Sequence, residues 1–187
     1  MPVWLIVVLV VALLLIAFVW GTYNKLVTLN ERVNEAWSDI TVQLKYRADL
    51  IPNVVETVKG YAKHEKSAFE DVTKARSAVM GAKSVKSAAE AEKSLESALG
   101  KIFAIAEAYP ELKANENFKE LQTQLQDVED KIQAARRFYN AGAKELNTKI
   151  KQFPVNLFGG FGFKKRDYFE VADRQKIEDA PEVKFDK

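Results

Sequence analysis

Few side chains in this sequence have the types and spacing that enzyme chemistry requires. The chain has one histidine, His64, and no cysteine. One histidine cannot supply the two Glu-x-x-His pairs of a carboxylate-bridged di-iron bundle. The lack of cysteine excludes disulfides, thiolate zinc sites and thiol nucleophiles. His64 and Glu65 would point in different directions on a helix, so we expect His64 on the surface. The sequence therefore predicts no metal site, no cofactor and no acid–base pair.

Three further motifs carry polar groups without a defined geometry. "SVKSAAEAEKS" offers a serine with a lysine base, but such a run is usually a solvated helix face. "GGFGF" lacks the Gly-Lys-Ser element of a phosphate-binding loop. "ARRFYN" places Arg136 and Arg137 beside aromatic rings, where one of them could contact an anion or lipid headgroup. An ion-paired surface arginine is the alternative, since adjacent residues diverge on a helix. We assign no catalytic residue.

The stretch "LKYRADLIPNVVETVKGYA", residues 44–62, is more informative, because it places a proline close to polar side chains. Pro52 lacks a backbone N–H and clashes with the carbonyl four residues before it. The apolar positions on both sides of Pro52 nevertheless keep one helical phase. We therefore predict a single kinked helix in which the carbonyl of Ala48 has lost its helical donor. Arg47 falls on the buried side, where it could bind that carbonyl or a carboxylate; Asn53 could act similarly.

The composition indicates that helices position these residues. Hydrophobic residues make up 48% and charged residues 29% of the chain, which is typical of a folded protein. Ala, Lys, Glu and Leu are abundant, and the chain has only eight glycines and five prolines. The net charge is only +2, from 28 basic and 26 acidic residues, whereas a nucleic-acid-binding domain concentrates a basic excess. We therefore expect no nucleic-acid partner.

The N-terminus predicts a membrane anchor. Residues 3–20, "VWLIVVLVVALLLIAFVW", would span about 27 Å as a helix, close to a bilayer core of about 30 Å. Trp4 lies at one end and Trp20 with Tyr23 at the other, where such rings favour the headgroup region. A cleaved signal peptide is the alternative. It would need a preceding positive charge and a small-residue cleavage site, and neither is present.

The positive-inside rule gives an orientation for this anchor. Lys25, Arg32, Lys45 and Arg47 follow the apolar segment, and no Lys or Arg precedes it. Basic residues flanking a span favour the cytoplasmic side. We therefore predict a cytoplasmic helical domain on a single-pass anchor, and a periplasmic domain is the alternative.

Four amphipathic stretches follow, near residues 23–61, 65–80, 87–109 and 118–150. Short connections between such helices favour an antiparallel bundle over an extended coiled coil. The predicted fold is all-α: a transmembrane helix that continues into a long antiparallel four-helix bundle, with an irregular C-terminal tail. The domain limits are 1–21 for the anchor, 22–152 for the bundle and 153–187 for the tail.

Local signals predict the helix ends. Ser87 and Glu90 have the spacing of a capping box at the start of the third helix, and Pro110 ends it. Asn115 or Asn117 would cap the fourth helix.

The fourth helix of an alternating bundle returns toward the membrane, so residues 153 onward would arrive near the bilayer. They read "FPVNLFGGFGFKKRDYFE". Aromatic rings beside cations are attracted to an anionic interface. This pattern predicts a lipid-facing group of Phe161, Phe163, Lys164, Lys165 and Arg166. The alternative is a tail that packs its phenylalanines on the end of the bundle. The final "IEDAPEVKFDK" is expected to be disordered.

Four motifs of this chain read "RADLIPNVVETVKGYAKHE", "YPELKANENFKELQTQL", "ARRFYNAGAKELNTKIKQFP" and "FGFKKRDYFE". Their order and spacing agree with those of the LemA family, which the chain resembles over residues 20–170. The resemblance implies a helical bundle on one N-terminal span in the bacterial inner membrane. It implies no catalytic activity. It also implies relatives needed for magnetosome membrane formation, and partners among membrane proteases and TPM-domain proteins.

The family motifs map onto this chain as structural and interaction positions: Arg47, Asp49, Pro52, Asn53, Tyr61, Tyr109, Pro110, Asn115, Phe118, Arg136, Arg137, Phe138, Tyr139, Asn140, Pro154 and Tyr168. The first helix also carries apolar residues off its main stripe, at Val27, Leu29, Ala36, Val42, Tyr46, Leu50 and Val55. Such residues are available for contacts between copies. The predicted function is a non-enzymatic, membrane-anchored scaffold that self-associates and shapes the membrane. The alternative is an adaptor for a membrane peptidase or a TPM-domain protein.

Overall fold

The computed structural model describes residues 2–170, which contain helices and no strands, and this confirms the all-α class. The elements are α1 (Val3–Lys59), α2 (Lys66–Gly81), α3 (Val85–Ala108), α4 (Pro110–Ala114), α5 (Glu116–Lys151) and a 3₁₀ segment (Val155–Gly162). Residues 163–170 continue without helical structure. The predicted disorder of the final residues lies outside the described part of the chain.

The helix α1 runs through Gly21 and Pro52 without ending, which confirms that the helix continues past the proline. Its 57 residues correspond to about 85 Å. The apolar side chains of the first part are exposed, with Val3 at 75% and Trp20 at 69%. Of the helices in residues 2–170, α1 alone is long and apolar enough to cross a membrane, with a mean hydropathy of 3.2 in its most apolar window. From Leu26 onward α1 has a buried stripe.

The helix α5 packs antiparallel to α1 along most of its length. The ring of Trp37 lies 6.0 Å from the ring of Tyr139, between centroids. At the far end, Asn115 Nδ2 donates to Tyr61 Oη at 3.0 Å. As the residue number increases along α1, the number of the contacting residue on α5 decreases. This pairing brings the C-terminus of α5 back toward the apolar part of α1.

The helices α2 and α3 form a second antiparallel pair. Lys101 Nζ on α3 donates to Asp71 Oδ2 on α2 at 2.6 Å. Lys59, at the end of α1, lies 5.8 Å from the centroid of the Phe69 ring on α2. The rings of Phe103 on α3 and Phe118 on α5 are 6.4 Å apart. The four long helices share one apolar core.

The helix ends differ partly from the predictions. Asn115 caps α5 as expected, since its Oδ1 accepts from Phe118 N at 3.0 Å. The capping box of α3 is formed by Ser84 and Ser87, and the prediction of Ser87 with Glu90 is wrong. The hydroxyl of Ser87 serves as well as a carboxylate because it reaches the free N–H of Ser84. Pro110 ends α3 as predicted, and it also opens the unpredicted α4, where its missing N–H is not needed.

The burial of α1 is wider than one stripe. Four of the seven residues expected to be available for contacts between copies are buried inside the fold: Leu29, Ala36, Leu50 and Val55. The reason is that α1 contacts α5 on one side and α2 on another. The other three, Val27, Val42 and Tyr46, are exposed.

Candidate functional site

A buried ion cluster joins three helices at the middle of the domain. Arg47 Nη1 on α1 donates to Glu92 Oε1 on α3 and to Glu129 Oε2 on α5. The Arg47 and Glu92 side chains are 7% and 5% exposed, and that of Glu129 is 23% exposed. Arg47 thus pairs with carboxylates, one of the two roles predicted for it. One cation facing two carboxylates thus links all three helices.

Burial dominates the electrostatics of this cluster. Desolvation raises the pKa of Glu92 above its ordinary value, and the nearby guanidinium of Arg47 opposes that change without reversing it. Within residues 2–170, Arg47 Nε and Glu92 Oε2 are buried polar atoms without a hydrogen-bond partner. A buried ion pair of this kind is costly, so we assign it a role in helix register.

The carbonyl that Pro52 leaves without a helical donor is bound by a neighbouring helix. Arg76 Nε on α2 donates to Ala48 O at 2.7 Å. Arg76 Nη2 also lies 3.9 Å from Asp49 Oδ1, at a half-exposed position. The predicted roles of Arg47 and Asn53 at this carbonyl are wrong: Arg47 turns to the carboxylates, and Asn53 is exposed to solvent.

Residues 163–170, which we call the strap, lie against α5. Asn147 Nδ2 donates to Arg166 O and its Oδ1 accepts from Arg166 N, both at 2.8 Å. Asn140 makes the same two bonds with the backbone of Phe169, at 3.0 and 2.8 Å. We call this pair of side chains the asparagine ladder. Each amide binds a strap residue as the peptide group of a neighbouring β-strand would.

The spacing of the ladder matches an extended chain. Asn140 and Asn147 are two helical turns apart, about 10.5 Å. The three steps from Arg166 to Phe169 span about 10 Å when extended. Between them, Tyr139 Oη donates to Asp167 O at 2.9 Å. Burial raises the pKa of the Tyr139 phenol, which keeps it a donor. The α5 surface therefore binds the backbone of three strap residues, Arg166, Asp167 and Phe169.

The side chains of Arg166 and Phe169 also anchor the strap. Phe169 is 3% exposed, and the guanidinium of Arg136 lies 4.7 Å from its ring centroid. Arg166 Nη2 donates to Asn30 Oδ1 at 2.8 Å and to Asn34 Oδ1 at 2.7 Å, both on α1. The strap thus ties α1 to α5. This is a different role for Arg166 from the predicted lipid contact, because its guanidinium is engaged within the protein.

The aromatic residues before the strap pack at the border of the apolar segment. The ring of Tyr23 lies 6.1 Å from that of Phe161 and 5.8 Å from that of Phe163. An apolar recess of about 800 Å³ opens beside them, lined by Leu15, Ile16, Val19, Trp20, Tyr23, Asn24 and Phe161. This arrangement fits the packing alternative for the two phenylalanines. Lys164 and Lys165 are exposed, as a lipid contact would require.

The remaining predicted positions do not gather at one site. Trp4 is 64% exposed near the start of α1, and Arg137 and Phe138 are exposed on α5. Sequence reasoning missed Arg76, the two carboxylate partners of Arg47, and three asparagines: Asn30, Asn34 and Asn147. The seven-residue spacing of Asn140 and Asn147 on one helix face was the available signal for the ladder. The separations between the other partners left no local signal.

Known proteins show the same sequence pattern. The model of the LemA family matches residues 36–185. Magnetosome protein MamQ 2 of Paramagnetospirillum magneticum is 27% identical over 175 residues, and MamQ of Magnetospirillum gryphiswaldense is 29% identical over 174 residues. Each match covers 79% of this chain, which spans 64% of the length of these relatives. Protein LemA of Metamycoplasma hominis is 28% identical over 159 residues, 84% of this chain and 71% of that protein.

The family match begins within α1, includes the Arg47 cluster and the asparagine ladder, and extends over the whole strap. It covers most of the chain, and the exposed apolar segment of α1 precedes it. This membrane-associated chain belongs to the LemA family.

Proposed function

We propose that this protein is a non-enzymatic scaffold that is anchored in the inner membrane, self-associates and organises or shapes the bilayer. The observation that carries the proposal is the continuity of α1, in which an exposed apolar segment and the core stripe of the helical domain form one helix. No hinge separates the segment from the domain within α1. The position of the domain at the membrane is therefore coupled to the tilt of the anchor.

An exposed apolar face on α1 supports self-association. Val42 and Tyr46 are one turn apart and are 57% and 46% exposed. They lie on the side of α1 opposite its buried stripe. Contact between two such faces would remove apolar surface from water, which is the main driving force of association. The similarity to proteins named for the magnetosome is consistent with membrane organisation.

The anchor is retained and the helical domain lies in the cytoplasm in this proposal. Lys25 and Arg32 follow the apolar segment and support that orientation. Protease treatment of closed inverted and right-side-out vesicles tests it, with a tag on the C-terminus. Loss of the tag only in inverted vesicles is expected. Loss only in right-side-out vesicles would place the domain in the periplasm, and a soluble tagged fragment would show cleavage of the anchor.

Self-association is tested with the full chain in a mild detergent and in liposomes. Mass measurement of single particles should show oligomers, and electron microscopy should show changed liposome curvature. The Val42→Lys, Tyr46→Lys double variant should shift the protein toward monomers. Phe138→Lys is the control, since Phe138 is 60% exposed on α5, away from that face. A monomeric wild-type protein that leaves liposomes unchanged would refute the scaffold.

The adaptor function makes a different prediction in native membranes. Affinity purification of an adaptor should recover a peptidase or TPM-domain protein in stoichiometric amount. Recovery of mainly this chain itself supports the scaffold.

A further inference from the structure

The strap is held by groups that do not depend on which copy of the chain supplies it. The asparagine ladder and Tyr139 bind main-chain atoms of the strap. Arg166 binds two asparagines of α1, and Phe169 occupies a buried position beside Arg136. The strap of a second copy would make every one of these contacts unchanged. Exchange of an identical element is a low-cost route to a dimer for this reason.

The segment that returns the strap to its own α5 is strained. Gly160, Phe161 and Gly162 all have positive φ, at 64°, 54° and 80°. Glycine adopts this left-handed region without penalty, whereas phenylalanine has a Cβ that is crowded there. A strained hinge favours exchange, because an opened hinge regains normal backbone angles while the strap keeps its contacts. The closed form therefore carries a local cost that the exchanged form can relieve.

The membrane anchor favours the same outcome. The strap begins beside Tyr23, a few residues beyond the apolar segment of α1. Copies anchored in one bilayer therefore hold their straps and their α5 surfaces at the same height. Confinement to a plane also raises the effective concentration of one copy around another.

We infer that two copies of this protein exchange residues 163–170, so that the strap of each copy binds the asparagine ladder of the other. The inference rests on the proposed self-association and adds a second contact to the one proposed for Val42 and Tyr46. The partner is a second copy of this chain, and the surface is the asparagine ladder and Tyr139 of α5 together with Asn30 and Asn34 of α1.

Complementation between two defective copies tests the exchange. The ladder variant carries Asn140→Ala and Asn147→Ala, and the strap variant carries Arg166→Ala and Phe169→Ala. Neither variant alone can form an intact strap–ladder contact. A mixed pair that exchanges straps regains one intact contact. With the two variants co-expressed under different tags, mixed pairs should exceed pairs of like variants about fivefold, as for a gain of one modest interaction. Equal recovery of mixed and like pairs would refute the exchange.

Hinge variants test it without touching the ladder or the strap. Phe161→Gly removes the strain of the closed form and should lower the dimer fraction about fivefold. Gly160→Ala should raise that fraction, because a Cβ there would lie 2.8 Å from Ile150 Cγ2 in the closed form. Tyr23→Leu is the control for lost ring packing, since it removes the ring contacts of Tyr23 with Phe161 and with Phe163 of the strap and leaves the hinge residues unchanged. Hinge variants that change the dimer fraction in the same direction would contradict the inference.

The outcomes separate this inference from the proposed function. Wild-type oligomers that respond to neither the hinge variants nor the mixed pair would refute strap exchange and leave the scaffold standing. A monomeric wild-type protein in membranes would refute both. Oligomers that depend on the hinge and recover in the mixed pair would support both.

Discussion

Arg76 Nε donates a hydrogen bond to the main-chain oxygen of Ala48 at 2.7 Å, four residues before Pro52. That oxygen would accept from residue 52 in an ordinary helix, and proline has no N–H to give. A side chain of α2 therefore supplies the bond that α1 lacks. The proline of α1 and the arginine of α2 form one structural unit, which links the continuity of the first helix to the packing of the second.

A double-mutant cycle measures the coupling free energy between Arg76 and Pro52. Arg76→Met in the wild-type background should destabilise the protein by about 1–3 kcal/mol, because the buried Ala48 carbonyl loses its partner. Pro52→Ala restores an N–H at the helical position, so the same Arg76→Met change should cost about 1 kcal/mol less in that background. Chemical denaturation followed by circular dichroism gives the four stabilities. Asp49→Asn is the control for the ion pair between Arg76 and Asp49. Equal costs of Arg76→Met in the two backgrounds would show that Arg76 does not compensate for Pro52.

Replacing the cation of the buried cluster should be severely destabilising. Arg47→Met leaves Glu92 and Glu129 without their ion-pair partner, and breaking a buried pair in this way costs about 3–5 kcal/mol. Changing all three to apolar residues removes the stranded charges as well, so the triple variant should recover most of the loss. Thermal unfolding of the three proteins makes the comparison. A triple variant as unstable as the single one would show that the cluster stabilises the fold directly.

Because the pKa of Glu92 is raised, its contribution to the stability of the protein should decrease as the pH rises. Burial raises the pKa of Glu92 in the folded state above its ordinary value of 4.5. The folded protein therefore holds this proton more tightly than the unfolded chain. The stabilising contribution of this proton is fully present below the pKa of Glu92 in the unfolded chain. It is lost as the pH rises through the raised pKa of the folded protein. Glu92→Gln removes the titration, so its melting temperature relative to wild type should increase from about pH 4 to pH 8.

Asp71→Asn is the control with the opposite sign. The hydrogen bond from Lys101 lowers the pKa of Asp71, so that contribution is present at higher pH and is lost as the pH falls. Since Asp71 is on the surface, added salt should weaken its effect. A Glu92→Gln advantage that shrinks with rising pH would show that the attraction of Arg47 outweighs burial.

Hydrogen exchange should resolve the two positions of the asparagine ladder. Asn147→Ala should speed exchange at the amide of Arg166, and Asn140→Ala at the amide of Phe169, because each loses its acceptor. Removal of one such bond corresponds to a factor of about 10 in protection. Mass spectrometry with single-residue resolution can measure both amides. Equal effects of both variants at both amides would mean that the strap detaches as a unit.

The sequence by itself determined the helices and much of their boundaries. The apolar phase on both sides of Pro52 predicted one continuous helix, since a pattern that resumes in register needs no second start. The same phase placed Arg47 on the buried side, and the start of α5 was predicted at Asn115 or Asn117, of which Asn115 is the cap. These features depend on residues within a turn or two of one another, so a local pattern contains them.

Only the tertiary structure decided which groups meet. Arg47 pairs with residues 45 and 82 positions away, and Arg166 with asparagines 136 and 132 positions away. Such choices depend on how far one helix is rotated and shifted against another, and a periodicity of 3.6 residues leaves both quantities open. The strap shows the limit most clearly: its basic and aromatic residues suit a lipid surface, and that pattern gave no sign that neighbouring asparagines bind its backbone.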